Sequence, residues 1–434
     1  MAGRKDEEGI PGIGREAAQR LDEVCGRILC FPGRPLSGLA LVLISGGGIA
    51  YEGYCGTRQF AGSGRENDLP VDRNTRWRIA SISKPIVTLG TMKLVERGIL
   101  DLGRDISEYL GYSLRNPSFP EKPITLRMIL GHTSSLRDAG FYYPPFTHTL
   151  KDLLVPGGRY YDNGGHFALS DESPDKAPGA YYEYCNLGYA ILGGIIEQCT
   201  GKRFDLYMRD EIFLPLGIDG GFNPLLISDG HFKDLSPIYR KCPPESEDWD
   251  AAGAWQPQVD DYRGIRPRLP VRLPRGEAGP FSLEQYRLGE NGSLFSPQGG
   301  LRICAHDLAR LAQVFIEGGG ELVSRQSIQA MFAPGWIRKA DGSNGDAQDK
   351  TAFATGIGLM LTAGPKGGPG LWGHHGNAYG FLGGMYLDPA RRSGYLFMIG
   401  GTGADPEKNR DPVSGLFVWE QELRSAVEEI LSLS

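Results

Sequence analysis

The sequence predicts a mixed α/β fold of the α+β type, in which an antiparallel sheet built from both chain ends is flanked by helices and carries an inserted helical lobe. Extended apolar runs lie near both ends, whereas helical periodicity dominates between them. The 434 residues also exceed the roughly 250 to 300 residues of a single hydrophobic core. We therefore expect a sheet domain at 1–80 and 291–434, a mainly helical domain at 81–218, and a loop-rich insertion or lid at 219–290.

The first predicted elements are a helix and a hairpin. Apolar residues at helical spacing between 16 and 30 predict an amphipathic helix that packs on a sheet. The apolar run 38–44, the triple glycine 46–48 and the extended segment 49–54 predict a buried β-hairpin. The triple glycine does not join a strand to a helix and has no lysine in place, so we expect no nucleotide-binding loop.

Helical periodicity dominates the middle of the chain. A helix is predicted to begin at or near Ser81, and a short one over 124–136 ends at Gly131. His132 could be a catalytic base, but its place in a packing segment favours a structural role. The long loop 138–177 is rich in aromatic residues that suit a pocket wall.

The sheet is predicted to be completed by the last third of the chain. Residues 219–290 have too few apolar side chains for a core of their own. A helix then begins at about His306, for which we expect a structural role. Extended runs follow at 356–361, 371–381, 383–387 and 394–399, and a terminal helix carries one apolar face.

Composition excludes several classes of function. The net charge of -6 is not the excess of positive charge that is typical of proteins that bind nucleic acid. No run approaches the ~20 apolar residues of a membrane span, and the charged start lacks the apolar region of a signal peptide, so we expect a cytoplasmic protein. Seven cysteines without a Cys-x-x-Cys pair argue against a disulfide framework and a zinc site. We predict no cofactor.

A serine and a lysine stand one helical turn apart at Ser81 and Lys84. Residues at this spacing share a helix face, so the Lys84 amine can reach the Ser81 hydroxyl. A desolvated lysine with a lowered pKa can activate such a serine for acyl transfer. The Ser81 amide also lies at a helix start, where free N–H groups can hold an oxyanion. Alone, this spacing is weak evidence, because it often arises by chance.

Two later segments offer further polar groups. Tyr184 and Asn186 would point the same way in an extended segment, where Tyr184 could relay a proton and Asn186 could hold a substrate amide or the lysine. His374 and His375 are adjacent and could form a metal pair. Neighbours in a strand face opposite ways, however, and no third ligand is within reach in the sequence, so metal binding is the less favoured interpretation.

In chain order, Ser81-x-x-Lys84, Tyr184-x-Asn186 and the segment 373–376, Gly-His-His-Gly, resemble the motifs of the serine β-lactamase and penicillin-binding-protein superfamily. The Tyr-x-Asn form is similar to the class C branch with its related esterases and D-aminopeptidases. The flanking segments 77–81, 130–134 and 296–301 are similar as well, and the resemblance covers about 17–217 and 291–432.

The resemblance implies a role for each matched residue. Ser81 would be the nucleophile and Lys84 its proton acceptor, while Tyr184 would share or relay that proton. Asn186 would orient Lys84 or the acyl side chain. The backbone amides of Ser81 and Asn377 would form the oxyanion hole.

The segment before Asn377 departs from the superfamily. His374, His375 and Gly376 stand where β-lactamases and DD-peptidases carry Lys-Thr-Gly. A titratable imidazole thus replaces the fixed cation that grips a substrate carboxylate. We expect His374, His375, Gly376 and Asn377 to bind substrate. Either of the two histidines could face the site. The His-x-Gly form is similar to the motif of family members that act as esterases, amidases or D-aminopeptidases.

The sequence therefore predicts a cytoplasmic serine hydrolase that cleaves a small ester, amide or short peptide through an acyl-enzyme, with the insertion near its active site. The alternative within this class is a true class C-like β-lactamase or DD-peptidase. A binding protein that has lost catalysis is a third possibility, because a fold does not determine a function. The joint presence of Ser81, Lys84 and Tyr184 favours an enzyme.

Overall fold

The structure is a computed structural model that describes residues 12–62, 65–172, 174–243, 246, 248–269, 282–346 and 349–433. The charged start at 1–11 and the segment 270–281 of the predicted lid lie outside the described residues. Among the described helices, none combines the length and the apolar character that a bilayer crossing requires.

Strands from both chain ends form the main sheet. The fourteen strands within the described residues are β1 (Gly38–Ser45), β2 (Gly48–Gln59), β3 (Leu69–Pro70), β4 (Arg76–Arg78), β5 (Ile238–Lys241), β6 (Trp255–Val259), β7 (Arg302–Cys304), β8 (Trp336–Ile337), β9 (Ala352–Thr355), β10 (Met360–Ala363), β11 (Pro369–Ala378), β12 (Phe381–Asp388), β13 (Ser393–Ile399) and β14 (Gly401–Thr402). Nine of them form one sheet in the order β3-β2-β1-β13-β12-β11-β10-β9-β8. Its paired neighbours are antiparallel, so the predicted sheet built from both chain ends is confirmed.

Helices cover both faces of this sheet. The α-helices of the described residues are α1 (Arg15–Leu29), α2 (Ser83–Glu96), α3 (Ser107–Leu110), α4 (Leu126–Leu130), α5 (Leu150–Leu154), α6 (Leu187–Thr200), α7 (Phe204–Met208), α8 (Asp229–Phe232), α9 (Ala305–Ile316), α10 (Arg325–Phe332) and α11 (Val418–Leu433). The described residues of 81–218 contain α2 to α7 and no strand. The domain boundaries themselves remain a prediction.

Alternate residues of β1 face two different cores, because successive side chains of a strand point to opposite faces. Leu41 lies in the core that α1 and α11 close from one side. Val42 lies in the larger core formed with α2, α6 and α9 on the other side. The sheet is therefore buried on both faces, which explains why β1 reads as a continuous apolar run.

Two of the predicted extended runs contain turns. In the run 356–361, β9 has already ended at Thr355 and β10 begins only at Met360, with Gly358 at a φ of 70° between them. The run 371–381 is divided by Tyr379 and Gly380, whose φ values are 59° and 98°. A positive φ is incompatible with an extended strand, so both predictions were wrong at these positions.

The insertion at 219–290 contains more regular structure than its composition indicates. Strands β5 and β6 pair antiparallel, and β5 also pairs in parallel with β14. Asp260, directly after β6, forms a buried ion pair with Arg302 of β7, with Oδ2 2.8 Å from Nε. A Cβ on Gly380 would lie 2.2 Å from the Tyr239 carbonyl oxygen. Strand β5 therefore lies against the β11–β12 turn, while a function as a lid remains a prediction.

Candidate active site

Ser81 lies in a single 3-10 turn, Ala80–Ile82, directly before α2. The α-helix proper begins two residues after Ser81, at Ser83. Ala80 has a φ of 47°, a region that disfavours residues with a Cβ atom. Ser83 braces this turn, because its hydroxyl donates to the Ala80 carbonyl oxygen at 2.7 Å and accepts from the Leu301 amide at 3.1 Å. Ser81 itself is half-buried.

The buried Lys84 amine lies at the centre of a hydrogen-bond cluster. Nζ is 2.9 Å from Ser81 Oγ, 2.6 Å from Tyr184 Oη and 2.8 Å from Asn186 Oδ1. A fourth acceptor, the backbone carbonyl oxygen of Gln298, lies at 2.9 Å. The Tyr184 hydroxyl is also 2.7 Å from Ser81 Oγ. The structure thus brings together four of the residues that the sequence singled out.

The surroundings of Lys84 prepare its amine to accept a proton. Burial lowers the pKa of Lys84 to about 7, although the Asp138 carboxylate opposes this shift. An amine that titrates near neutrality is unprotonated in many molecules at pH 7 and can take the Ser81 proton. Burial also raises the pKa of Tyr184 well above its usual value. Tyr184 therefore keeps its proton and can pass it on, rather than acting as a phenolate.

His132 holds the segment that carries Tyr184. Its Nδ1 accepts a hydrogen bond from the Cys185 backbone amide at 3.2 Å, and its ring centroid lies 4.5 Å from that of Tyr184. Burial lowers the pKa of His132 to about 3, so the ring is neutral and can accept. This hydrogen bond is the structural role that the sequence favoured for His132.

Two contributors to the cluster were not identified from the sequence. Asp138 accepts hydrogen bonds from Asn186 and Leu187, which lie 48 and 49 residues further along the chain. No local pattern marks a contact of that range. Gln298 contributes a backbone carbonyl oxygen, which every residue type possesses. The only sequence indication for either was its position in or near a segment similar to the superfamily.

Strand β11 forms the opposite wall of the site. A Cβ on Gly376 would lie 2.8 Å from the Ile79 carbonyl oxygen and 3.3 Å from Ala80 Cβ, so glycine lets the strand pack directly on the Ser81 turn. Asn377 follows Gly376, and its side chain donates to Glu407 Oε1 at 3.0 Å. An oxyanion hole formed by the amides of Ser81 and Asn377 remains a prediction.

His374 is the histidine that faces the catalytic cluster. It is 1% exposed, and its ring centroid lies 6.0 Å from that of Tyr184. Its Nδ1 lies 2.7 Å from the His375 carbonyl oxygen, which can only accept, so Nδ1 carries a proton. Among the described residues, the buried Nε2 has no hydrogen-bond partner. Burial, assisted by the charge of Lys84, lowers the pKa of His374 well below its usual value, so the imidazole is neutral.

His375 has different surroundings. It is partly exposed and lines a cavity of about 310 Å³ together with Tyr184, Asp349 and Phe417. Its ring lies 5.6 Å from that of His374, at an interplanar angle of 45°. Within the described part of the chain, no group of three or more His, Cys, Asp or Glu side chains is arranged to hold a metal ion.

The chain is similar to known proteins over most of its length. A sequence model of the family described as Beta-lactamase matches residues 30–416. Penicillin-binding protein 4* of Bacillus subtilis (strain 168) is 28% identical over 213 residues, which are 47% of this chain and 41% of that protein. Esterase EstB of Burkholderia gladioli is 30% identical over 222 residues, which are 47% of this chain and 51% of that protein. Each alignment thus spans about half or less of the relative's own length.

Solved structures share the fold over nearly the whole chain. The D-amino acid amidase of Ochrobactrum anthropi SV3, complexed with L-phenylalanine amide, has a TM-score of 0.64 at 19% identity and covers 96% of this chain and 100% of its own. The octameric penicillin-binding protein homologue of Pyrococcus abyssi has a TM-score of 0.64 at 21% identity and covers 90% of this chain and 74% of its own. With the family model matching from residue 30 to residue 416, the chain belongs to the β-lactamase family.

Proposed function

We propose that this chain is a serine hydrolase that cleaves a small ester or amide through an acyl-enzyme on Ser81. One observation carries the proposal: the buried Lys84 amine has a pKa of about 7 and lies 2.9 Å from Ser81 Oγ. A neutral amine at that distance can accept the serine proton while the oxygen attacks a carbonyl carbon.

In the acylation step, Ser81 Oγ forms a bond to the carbonyl carbon, and its proton moves to Lys84 Nζ. The carbonyl oxygen becomes an oxyanion, which we assign to the backbone amides of Ser81 and Asn377. When the carbon–oxygen or carbon–nitrogen bond breaks, the leaving group takes a proton from the Tyr184 hydroxyl. Lys84 then returns a proton to Tyr184 across their 2.6 Å contact.

In the deacylation step, water attacks the Ser81 ester. Its proton passes through Tyr184 to Lys84, and the tetrahedral intermediate expels Ser81 Oγ, which regains a proton from Lys84. Asn186 keeps the Lys84 amine in place during both steps, because its Oδ1 lies 2.8 Å from Nζ. An acid product is released, and the three groups return to their starting protonation states.

The β11 wall favours esters and amides over substrates with a carboxylate beside the scissile bond. A carboxylate is held best by a fixed cation. His374 stands at the corresponding position, and because it is neutral it provides no cation there. The names of an esterase and an amidase among the similar proteins support the same preference. A class C-like β-lactamase or a DD-peptidase is the runner-up, on the names of the penicillin-binding relatives.

Labelling with a fluorophosphonate probe, followed by peptide mass spectrometry, tests the nucleophile. We expect the modified peptide to carry the label on Ser81 and a Ser81→Ala variant to remain unlabelled. An unchanged melting temperature of the variant would show that the loss does not come from unfolding. Labelling that persists in Ser81→Ala would overturn the assignment.

A substrate comparison tests the proposed class. We expect turnover of p-nitrophenyl acetate or D-alanyl p-nitroanilide to exceed that of nitrocefin, because nitrocefin carries a carboxylate. The reverse ranking would favour a β-lactamase. If no probe or substrate acylates the protein between neutral and alkaline pH, a non-catalytic binding protein on this fold becomes the better description.

A further inference from the structure

Asp138 uses its two carboxylate oxygens for different partners. Its Oδ1 accepts from the backbone amides of Asn186 and Leu187 at 2.7 and 2.9 Å, which satisfies free N–H groups at the start of α6. Its Oδ2 accepts from Asn186 Nδ2 at 2.7 Å. A helix cap requires only the first oxygen, so capping leaves the contact of the second oxygen unexplained.

The second contact determines which end of the Asn186 side chain faces Lys84. A carboxylate only accepts hydrogen bonds, so the NH2 group of the amide must point to Asp138 and its oxygen to Lys84. We propose that Asp138 is a positioning residue that fixes this amide orientation and so keeps an acceptor and a negative charge close to the Lys84 amine. The inference rests on the proposed function and deepens it, because it names what holds the Asn186 amide oxygen against the proton acceptor.

Asp138 differs in charge from the other titratable groups around Lys84. The titratable groups that face its amine are Asp138, Tyr184, Cys185, Tyr189, His132 and His374. Burial raises the pKa of the thiol and of both phenols, which therefore stay protonated. Burial lowers the pKa of both histidines, which are therefore neutral. Asp138 is the only carboxylate of the six, and one side-chain amide separates it from Nζ.

An Asp138→Asn variant changes this arrangement with little change in shape. The new Oδ1 can still accept from the amides of Asn186 and Leu187, so the cap is retained. The new NH2 group would oppose the NH2 group of Asn186, whose amide then turns and directs a donor at Lys84. Both this reversal and the lost charge destabilise the protonated amine. We expect the pKa of Lys84 to fall by about one pH unit.

The exchange variant, Asp138→Asn with Asn186→Asp, reverses the sign of the effect. The NH2 group introduced at position 138 donates to the carboxylate introduced at position 186, whose other oxygen lies against Lys84. The protonated amine is then stabilised, so we expect its pKa to rise above the wild-type value by at least about one pH unit. The rise comes from the carboxylate at position 186, so the fall in Asp138→Asn is the shift that a residue which only shaped the loop would not produce.

The experiment is a titration of the lysine 13Cε chemical shifts in protein labelled with [13C]lysine, with the Lys84 signal assigned by its loss in Lys84→Met. This readout needs no turnover, so it separates the inference from the proposed function. Where the protein hydrolyses a neutral ester, we expect the acid limb of kcat/KM to shift in parallel with the titration. Asp152→Asn is the matched control, because Asp152 caps α5 in the same long loop, and we expect it to leave the Lys84 titration unchanged.

Opposite shifts in the two variants would support the inference, even if no substrate is found. An Asp138→Asn titration that does not fall below the wild type, or an exchange-variant titration that does not rise above it, would overturn it. So would the failure of both variants to fold, judged by circular dichroism, because Asp138 would then be needed for the architecture of the loop.

Discussion

The two walls of the candidate site, one carrying Lys84 and the other formed by β11, differ in how their buried ionisable groups are paired. On the Lys84 wall, the buried amine has acceptors from Ser81, Tyr184, Asn186 and the Gln298 backbone, all within 2.9 Å. On the β11 wall, the buried Nε2 of His374 has no partner within the described residues. Within the described residues, Lys84 is thus held by several hydrogen bonds, whereas His374 is held through Nδ1 alone.

This difference between the two walls suggests a different role for each in the proposed reaction. Groups that already hold one another in place can perform the same proton transfers on many acyl compounds. Under the proposed function, we expect the Lys84 wall to perform the acyl transfer and the β11 wall to select among esters, amides and β-lactams.

Removal of the Lys84 amine should have the largest effect. We expect Lys84→Met to lower kcat/KM by about 10³-fold, because Tyr184, the other described side chain within hydrogen-bond distance of Ser81 Oγ, keeps its own proton. Lys84→Arg should lose as much, since a guanidinium stays protonated. Lys93→Met, on the same helix, is the control and should retain activity. Activity near the wild-type value in a folded Lys84→Met variant would mean that the proton acceptor lies elsewhere.

Loss of the Tyr184 hydroxyl should be the next largest effect. We expect Tyr184→Phe to lower kcat by about 10²-fold, because the leaving group then lacks its nearest proton donor. Tyr182→Phe is a matched control, since the Tyr182 hydroxyl contacts Asp349 and not Lys84. If both variants lose the same activity in steady-state kinetics, the loss reflects packing and not proton transfer.

The pH dependence follows from the lowered pKa of Lys84. With a pKa of about 7, the amine is neutral above that value and protonated below it. For a neutral ester, kcat/KM should therefore reach a plateau on the alkaline side and fall by about tenfold per pH unit on the acid side. A pH-stat assay can measure this profile. A plateau that extends down to pH 5 would contradict a lysine base of this pKa.

A change on the β11 wall should alter selectivity more than rate. His374→Lys restores a cation, and we expect it to raise the preference for a carboxylate over its methyl ester by about tenfold. The comparison uses kcat/KM for the free acid and the ester of one substrate, which cancels any general loss of activity. His375→Lys serves as the control on the neighbouring position. An unchanged ratio in His374→Lys would show that His374 does not meet this part of the substrate.

Local chemistry explains which parts of the site the sequence could predict. Ser81 and Lys84 lie within one helical turn, and Tyr184 and Asn186 are two residues apart, so residue types at fixed spacing indicate their joint geometry. The motif located the His374 region in the sequence, but it could not show the protonation state of His374. Its neutral state depends on burial, which the sequence does not express.

The sequence by itself determined the antiparallel sheet from both chain ends, the family resemblance and the candidate nucleophile with its base. These features depend on periodicity and on contacts between residues close in the chain. Only the tertiary structure decided the positions of the turns near 358 and 380, the Asp138 contacts and the difference between the two walls. Each of these depends on backbone angles or on groups that are distant in the chain, and their energies arise only when the folded chain excludes water from between them.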